Sequence, residues 1–221
     1  MSDPSADSLE GQARAALLLP RGGAEADTWL WERARRLSRQ VAALTQQPEL
    51  AGRACDRRAA EAAALFFEVG RARVIAGVDR PRDVALLQPP DAAWREISID
   101  ALMHAAEGRL PPASIDAAIA AIRQYDRPQN GGAEALVVAE AVNLDDIGPL
   151  WLWLAARDPA GSAQTLAAYL KQWTTRRQYG YWETRIRDAL RFEWSRVIAR
   201  RRVAAMQVFV DSLAAQLDGS A

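Results

Sequence analysis

One imidazole and one thiol bound the ordinary side-chain chemistry available to this chain near neutral pH. His104 is the only histidine, hence the only side chain whose ordinary pKa suits acid–base work there. It falls in a helically patterned stretch, Asp91 to Glu107, where a structural or surface role is the simpler reading. Cys55 is the only cysteine and has no adjacent His or basic group to favour a thiolate, so a small packed residue is the simpler reading than a nucleophile. A pairing of Cys55 with His104 in space stays open. The remaining reactive character is arginine: Lys171 is the single lysine, and Arg185, Arg187, Arg191, Arg196 and Arg200 to Arg202 crowd the last stretch. Glu183, Asp188 and Glu193 are interleaved with them, the pattern of a salt-bridged, solvated face. Nucleic-acid binding would need those arginines on one continuous face with accessible aromatics, and 28 basic against 28 acidic residues create no attracting field.

The elements that would position these groups read as helices throughout. Met1 to Glu10 is polar, and a short apolar stretch from Ala13 to Leu19 ends at Pro20 and Gly22-Gly23. Leu30, Ala34, Leu37, Val41 and Leu44 recur at helical spacing across Glu25 to Gln47, with Glu25 and Asp27 at the favourable end of the dipole and Pro48 as a stop. A second helix is predicted from Asp56 to Val69, with Gly70 as its C-terminal cap. Arg71 to Pro90, broken by Gly77, Pro81, Pro89 and Pro90, reads as a long connection around a short element, Val74 to Val78.

Trp94, Ile97, Leu102 and Met103 mark the expected buried side of Asp91 to Glu107. Ser114 is the expected N-cap of Ile115 to Gln124. A turn at Asp126 to Gly132 precedes a helix over Ala133 to Asp146, which Gly148-Pro149 ends. Helices then start at Trp151, at Ser162 and at Trp182, the last running unbroken to Leu217. Residues 1–24 are read as a tail with a short helix, 25–217 as one helical domain without a linker, and 218–221 as a tail. The predicted class is all-α, with a long C-terminal helix.

Apolar runs such as Ala62 to Phe67 and Leu150 to Ala156 fall far short of the roughly 20 residues that span a bilayer. No membrane partner is expected, and with no basic-plus-apolar leader and no paired cysteines a cytoplasmic location is. Of eight tryptophans, Trp151, Trp153, Trp173, Trp182 and Trp194 fall in the last third with Tyr169, Tyr179 and Tyr181. Core is the first reading of such aromatics and a homodimer face the second.

Four segments together resemble a family. Trp31-Glu32-Arg33-Ala34-Arg35-Arg36-Leu37 resembles the opening helix of HD-domain metal-dependent phosphohydrolases, with Arg33 where that family has its first metal-binding His. Glu61 to Gly70 is similar to the family's apolar run ending in His-Asp-Ile/Val-Gly, Phe67 replacing the His and Glu68 the Asp. Ile122 to Asp126 resembles a stretch that carries further histidines in many members, where this chain has Tyr125 and Asp126. Glu134 to Gly148 is similar to Glu-Ala-x-Ile-Val-x-Asp-Ala-Asp-x-Leu-Asp-x-Ile-Gly, which sets Glu140 and Val142 at the two earlier aspartates and Asp145 at the later, supporting one. The C-terminal helix also resembles the family's closing helix, so the likeness spans Asp27 to Leu217 and carries the fold further than the activity.

The resemblance implies a phosphohydrolase scaffold without its imidazoles. A divalent metal there needs neutral nitrogens and carboxylates converging to acidify water, and neither Arg33 nor Phe67 supplies them. A guanidinium repels a metal and attracts carboxylates, so Arg33 is expected to pair with Glu68 or Glu140. The sharper alternative is that Arg33, with Arg71, binds an anionic small molecule such as a nucleotide phosphate. A carboxylate-only site for magnesium or manganese is another, drawn from Glu68, Glu140, Asp145, Asp146 and Asp126, although adjacent Asp145 and Asp146 point about 100° apart on a helix. The leading expectation is a catalytically inactive HD-like protein, structural, regulatory or ligand-sensing, with no cofactor. The alternatives are a divergent phosphohydrolase of nucleotides or other phosphate esters, and a nucleic-acid-associated helical module.

Overall fold

The computed structural model describes residues 6–19, 25–78, 86–157 and 165–219. Pro20, Gly22-Gly23, Pro81 and Ser162, read above as breaks or a helix start, lie outside them. The described residues are helical with no strand beyond an isolated bridge between Leu19 and Asp27, as the patterning predicts. The chain divides into two compact units, residues 1–84 with 89–142 and residues 85–88 with 143–221. The boundary falls inside a continuous helix, so no linker composition marks it in the sequence.

In the first unit, α1 (Leu9–Leu17) starts where Ser8 Oγ accepts the Gly11 N–H at 3.0 Å, and it buries Ala13 and Leu17. The next helix, α2 (Trp29–Leu44), begins later than the sequence pattern suggests. Leu19 and Asp27 exchange backbone hydrogen bonds of 3.1 and 2.8 Å, and the Asp27 carboxylate accepts the Trp29 N–H at 2.9 Å. Glu25 and Asp27 therefore precede the helix instead of occupying its first turn. The predicted stripe from Leu30 to Leu44 is buried, and α2 packs most extensively on α3 (Arg57–Phe66). Ala59, Ala60, Ala62, Ala63 and Ala64 are all buried in α3, small side chains that let neighbouring backbones come close.

Gly70 corrects the reading of a cap. A two-residue corner, Phe67-Glu68, ends α3, and α4 (Val69–Gly77) runs straight through Gly70. A Cβ at Gly70 would lie 1.9 Å from the Trp94 carbonyl oxygen, so glycine is there to admit the backbone of α5 (Ala92–Ala106). The connection expected after Arg71 therefore begins as helix, up to Gly77. On α5, Leu102 is buried as expected but Met103 is 42% exposed. Ser114 is no N-cap either: α6 (Pro112–Arg123) starts two residues earlier, and the Ser114 hydroxyl donates to the Asp56 carboxylate that caps α3. Gly132, at φ 80°, opens α7 (Gly132–Asp145).

In the second unit, α8 (Pro149–Arg157) follows Gly148, and α9 (Leu166–Gln178) is capped by Thr165. The long closing helix is broken once: α10 (Tyr181–Ala189) and α11 (Glu193–Asp218) are separated by Leu190–Phe192. Leu190 and Phe192 are wholly buried, so the chain straightens there to set two apolar side chains into the core, a preference that outweighs continuing the helix. That core is aromatic. Trp182 meets Trp151, Trp173 and Tyr181 at ring-centre distances of 5.7, 5.6 and 5.0 Å. Arg202 reaches back to donate to the Leu144 and Ile147 carbonyls at 2.6 and 3.3 Å, satisfying groups left open where α7 ends.

Candidate functional site

The corner between α3 and α4 places Glu68 with its side chain fully buried. Arg33 projects from α2 and Arg71 from the first turn of α4, both nearly as buried. Arg71 Nε donates to Glu68 Oε2 at 2.6 Å, and Arg33 Nε lies 3.1 Å from Glu68 Oε1, a charge contact out of hydrogen-bond alignment. Arg71 also stacks its guanidinium over Trp94, 5.1 Å from the ring centre. Burial alone would push the Glu68 carboxyl up. The charges of Arg71 and Arg33 and the Arg71 hydrogen bond together outweigh it and hold the group ionised below the usual carboxylate range.

The corner is clamped from α5. Ser98 Oγ accepts the Gly70 N–H at 2.8 Å and donates to the Phe67 carbonyl at 3.1 Å, so the turn that aims Glu68 cannot shift without breaking both. Phe67 is buried, its ring edge-to-face with Tyr125 at 4.9 Å. Arg95 lies over Tyr125 at 5.4 Å and pairs with Asp126 at 2.9 Å, which lowers the Asp126 carboxyl against the opposing effect of burial.

The structure thus brings together Arg33, Glu68 and Arg71, and separately Phe67 with Tyr125 and Asp126 with Arg95. Glu140 is fully buried on α7 and Val142 nearly so; Asp145, also buried, belongs to the second unit. Asp146 lies 3.7 Å from Arg185. Among the described residues, no three His, Cys, Asp or Glu side chains converge as a metal-holding group. Sequence reasoning offered Glu68 or Glu140 as the partner of Arg33, and the structure sets Arg33 against Glu68; it did not join Arg71 to that contact, although the three-residue spacing of Glu68 and Arg71 on one helical turn was a usable signal. Ser98 and Trp94 carried no such signal, because they reach the corner only through the α4–α5 packing.

His104 is exposed on α5. Cys55 sits before α3, where burial, Glu134 and Asp56 push its thiol up to about 11, so it is held protonated and unreactive. The arginines of α10 and α11 are tied into local pairs: Arg187 with Asp188 at 2.7 Å, Arg200 with Glu193 at 3.0 Å, Arg202 with the end of α7. In the aromatic third of the chain, Trp173 and Trp182 are core, while Trp153 and Tyr179 are exposed. No helix among the described residues is long and apolar enough to cross a membrane. Comparison with protein-family models, with curated proteins and with solved structures returns no match.

Proposed function

We propose that this protein is a non-catalytic, HD-like helical module with a structural or regulatory role in the cytoplasm. The observation that carries the reading is Glu68, fully buried and held between two guanidiniums at 2.6 and 3.1 Å. A carboxylate in that setting is already neutralised, and a divalent metal entering beside it would meet two fixed positive charges. Phe67, the position that the resemblance assigns to an imidazole, offers no donor and is occupied in ring packing with Tyr125. An anion at Arg33 and Arg71 would have to compete with Glu68 for the same donors. Magnesium or manganese chemistry would draw on carboxylates that include Glu68, Asp126 and Asp146, each facing an arginine.

The test is metal analysis of the purified protein together with phosphatase assays on a nucleotide panel in magnesium and manganese. No turnover is expected. Turnover that disappears in Glu68→Ala or Glu140→Ala would overturn the reading in favour of a divergent phosphohydrolase. Self-association through the exposed aromatics Trp153 and Tyr179 belongs to the same proposal, and light scattering across a concentration series measures it.

A further inference from the structure

A cleft of about 560 Å³ opens between α10 and α11, within the volume range of small-molecule sites. Its apolar side is Ile186 from α10 with Val203 and Ala204 from α11, and its polar side is Arg187, Arg196 and Arg200. Among the described residues, three guanidiniums thus share the lining with one carboxylate, Glu183. That carboxylate turns toward the start of α10, with Oε2 3.9 Å from where a Cβ on Gly180 would stand.

The arginines are positioned from outside the cleft. Arg196 Nε donates to the Leu190 carbonyl at 3.0 Å, which anchors it to the break between the helices. Glu193 lies between two of them, 3.0 Å from Arg200 and 3.8 Å from Arg196, and Arg187 leans on Asp188 at 2.7 Å; neither acid is among the described residues that line the cleft. A guanidinium carries five N–H donors, so one neighbouring carboxylate does not exhaust it. Exposed pairs of this kind contribute little in water, and exchanging or sharing them with an incoming anion costs little.

We propose that this cleft binds a small organic anion, its phosphate or carboxylate held by Arg187, Arg196 and Arg200 and its apolar body laid on Ile186 and Val203. The assignment is independent of the HD-like reading, since it uses none of the same residues. Isothermal titration calorimetry on the full chain tests it with phenyl phosphate and benzoate as probes, which distinguish the two head groups, and with phenol and inorganic phosphate as half-ligands. Binding of at least one of the two anions is expected, tighter than either half-ligand and weakened by rising salt. In R187Q/R200Q, whose altered side chains are mostly exposed, affinity should fall at least about tenfold while helical circular dichroism is unchanged. No heat with either anion, equal affinity for phenol or for inorganic phosphate, or unchanged affinity in a folded R187Q/R200Q protein would overturn it.

Discussion

In the unit built from residues 1–84 and 89–142, charge lies inside, where Glu68, Arg33 and Arg71 are together almost wholly removed from water among alanine-rich helices. In the unit built from 143–221 the core combines Trp173 and Trp182 with aliphatic side chains, and the ion pairs of Arg185, Arg187 and Arg200 are at least partly exposed, as Arg57–Glu61 and Arg123–Glu96 are in the first unit. The same residue types therefore do different work. A buried carboxylate between two guanidiniums is costly to assemble and far costlier to disrupt, because removing one member takes a charge partner from groups that stay desolvated. An exposed pair keeps its water and gives up little when broken.

Substitutions can break or sharpen that contrast. The largest effect is expected from Glu68→Ala, which removes the carboxylate from between two buried guanidiniums and should destabilise the first unit by about 3–5 kcal/mol, read by denaturant unfolding. Next is Gly70→Ala, where the new Cβ meets the Trp94 carbonyl and α4 or α5 must move, a loss of about 1–3 kcal/mol in the same assay. The pH dependence sharpens the comparison. Because the folded Glu68 carboxyl lies below its ordinary value, its contribution is complete above the usual carboxylate range and is lost as pH falls through the folded value. Thermal melts on an acid series should show wild type losing its advantage over Glu68→Gln as pH drops, and a constant gap would contradict the assigned charge state. The smallest effect belongs to Glu193→Ala, below about 1 kcal/mol and shrinking further in high salt.

The fold class and most helix positions were legible because 3.6-residue periodicity survives in Leu30 to Leu44 and because Asp56 and Asp91 are strong caps. What escaped was set by packing at a distance. Gly70 reads locally as a helix end, yet its reason is a carbonyl on α5, and Ser114 reads as a cap although its hydroxyl serves the cap of another helix. Leu190–Phe192 reads as helix because nothing in its composition forbids one. At the candidate site, the affinity of a guanidinium for a buried carboxylate left Glu68 and Glu140 as alternatives for Arg33, and the share of Arg71 depends on how the Phe67-Glu68 corner turns.

The ring cluster around Trp182 also gives the second unit an optical signature of its own, beside that of Trp29, Trp31 and Trp94 in the first. Three indoles, Trp151, Trp173 and Trp182, lie within 6 Å of one another through Trp182 and at inclined angles, close enough for their electronic transitions to couple. Such coupling gives an intense near-ultraviolet circular dichroism band that exists only while the packing is fixed. Following the part of that band that Trp182→Phe removes, beside the far-ultraviolet helix signal during denaturation, reports whether residues 143–221 lose their order together with the rest of the chain or ahead of it.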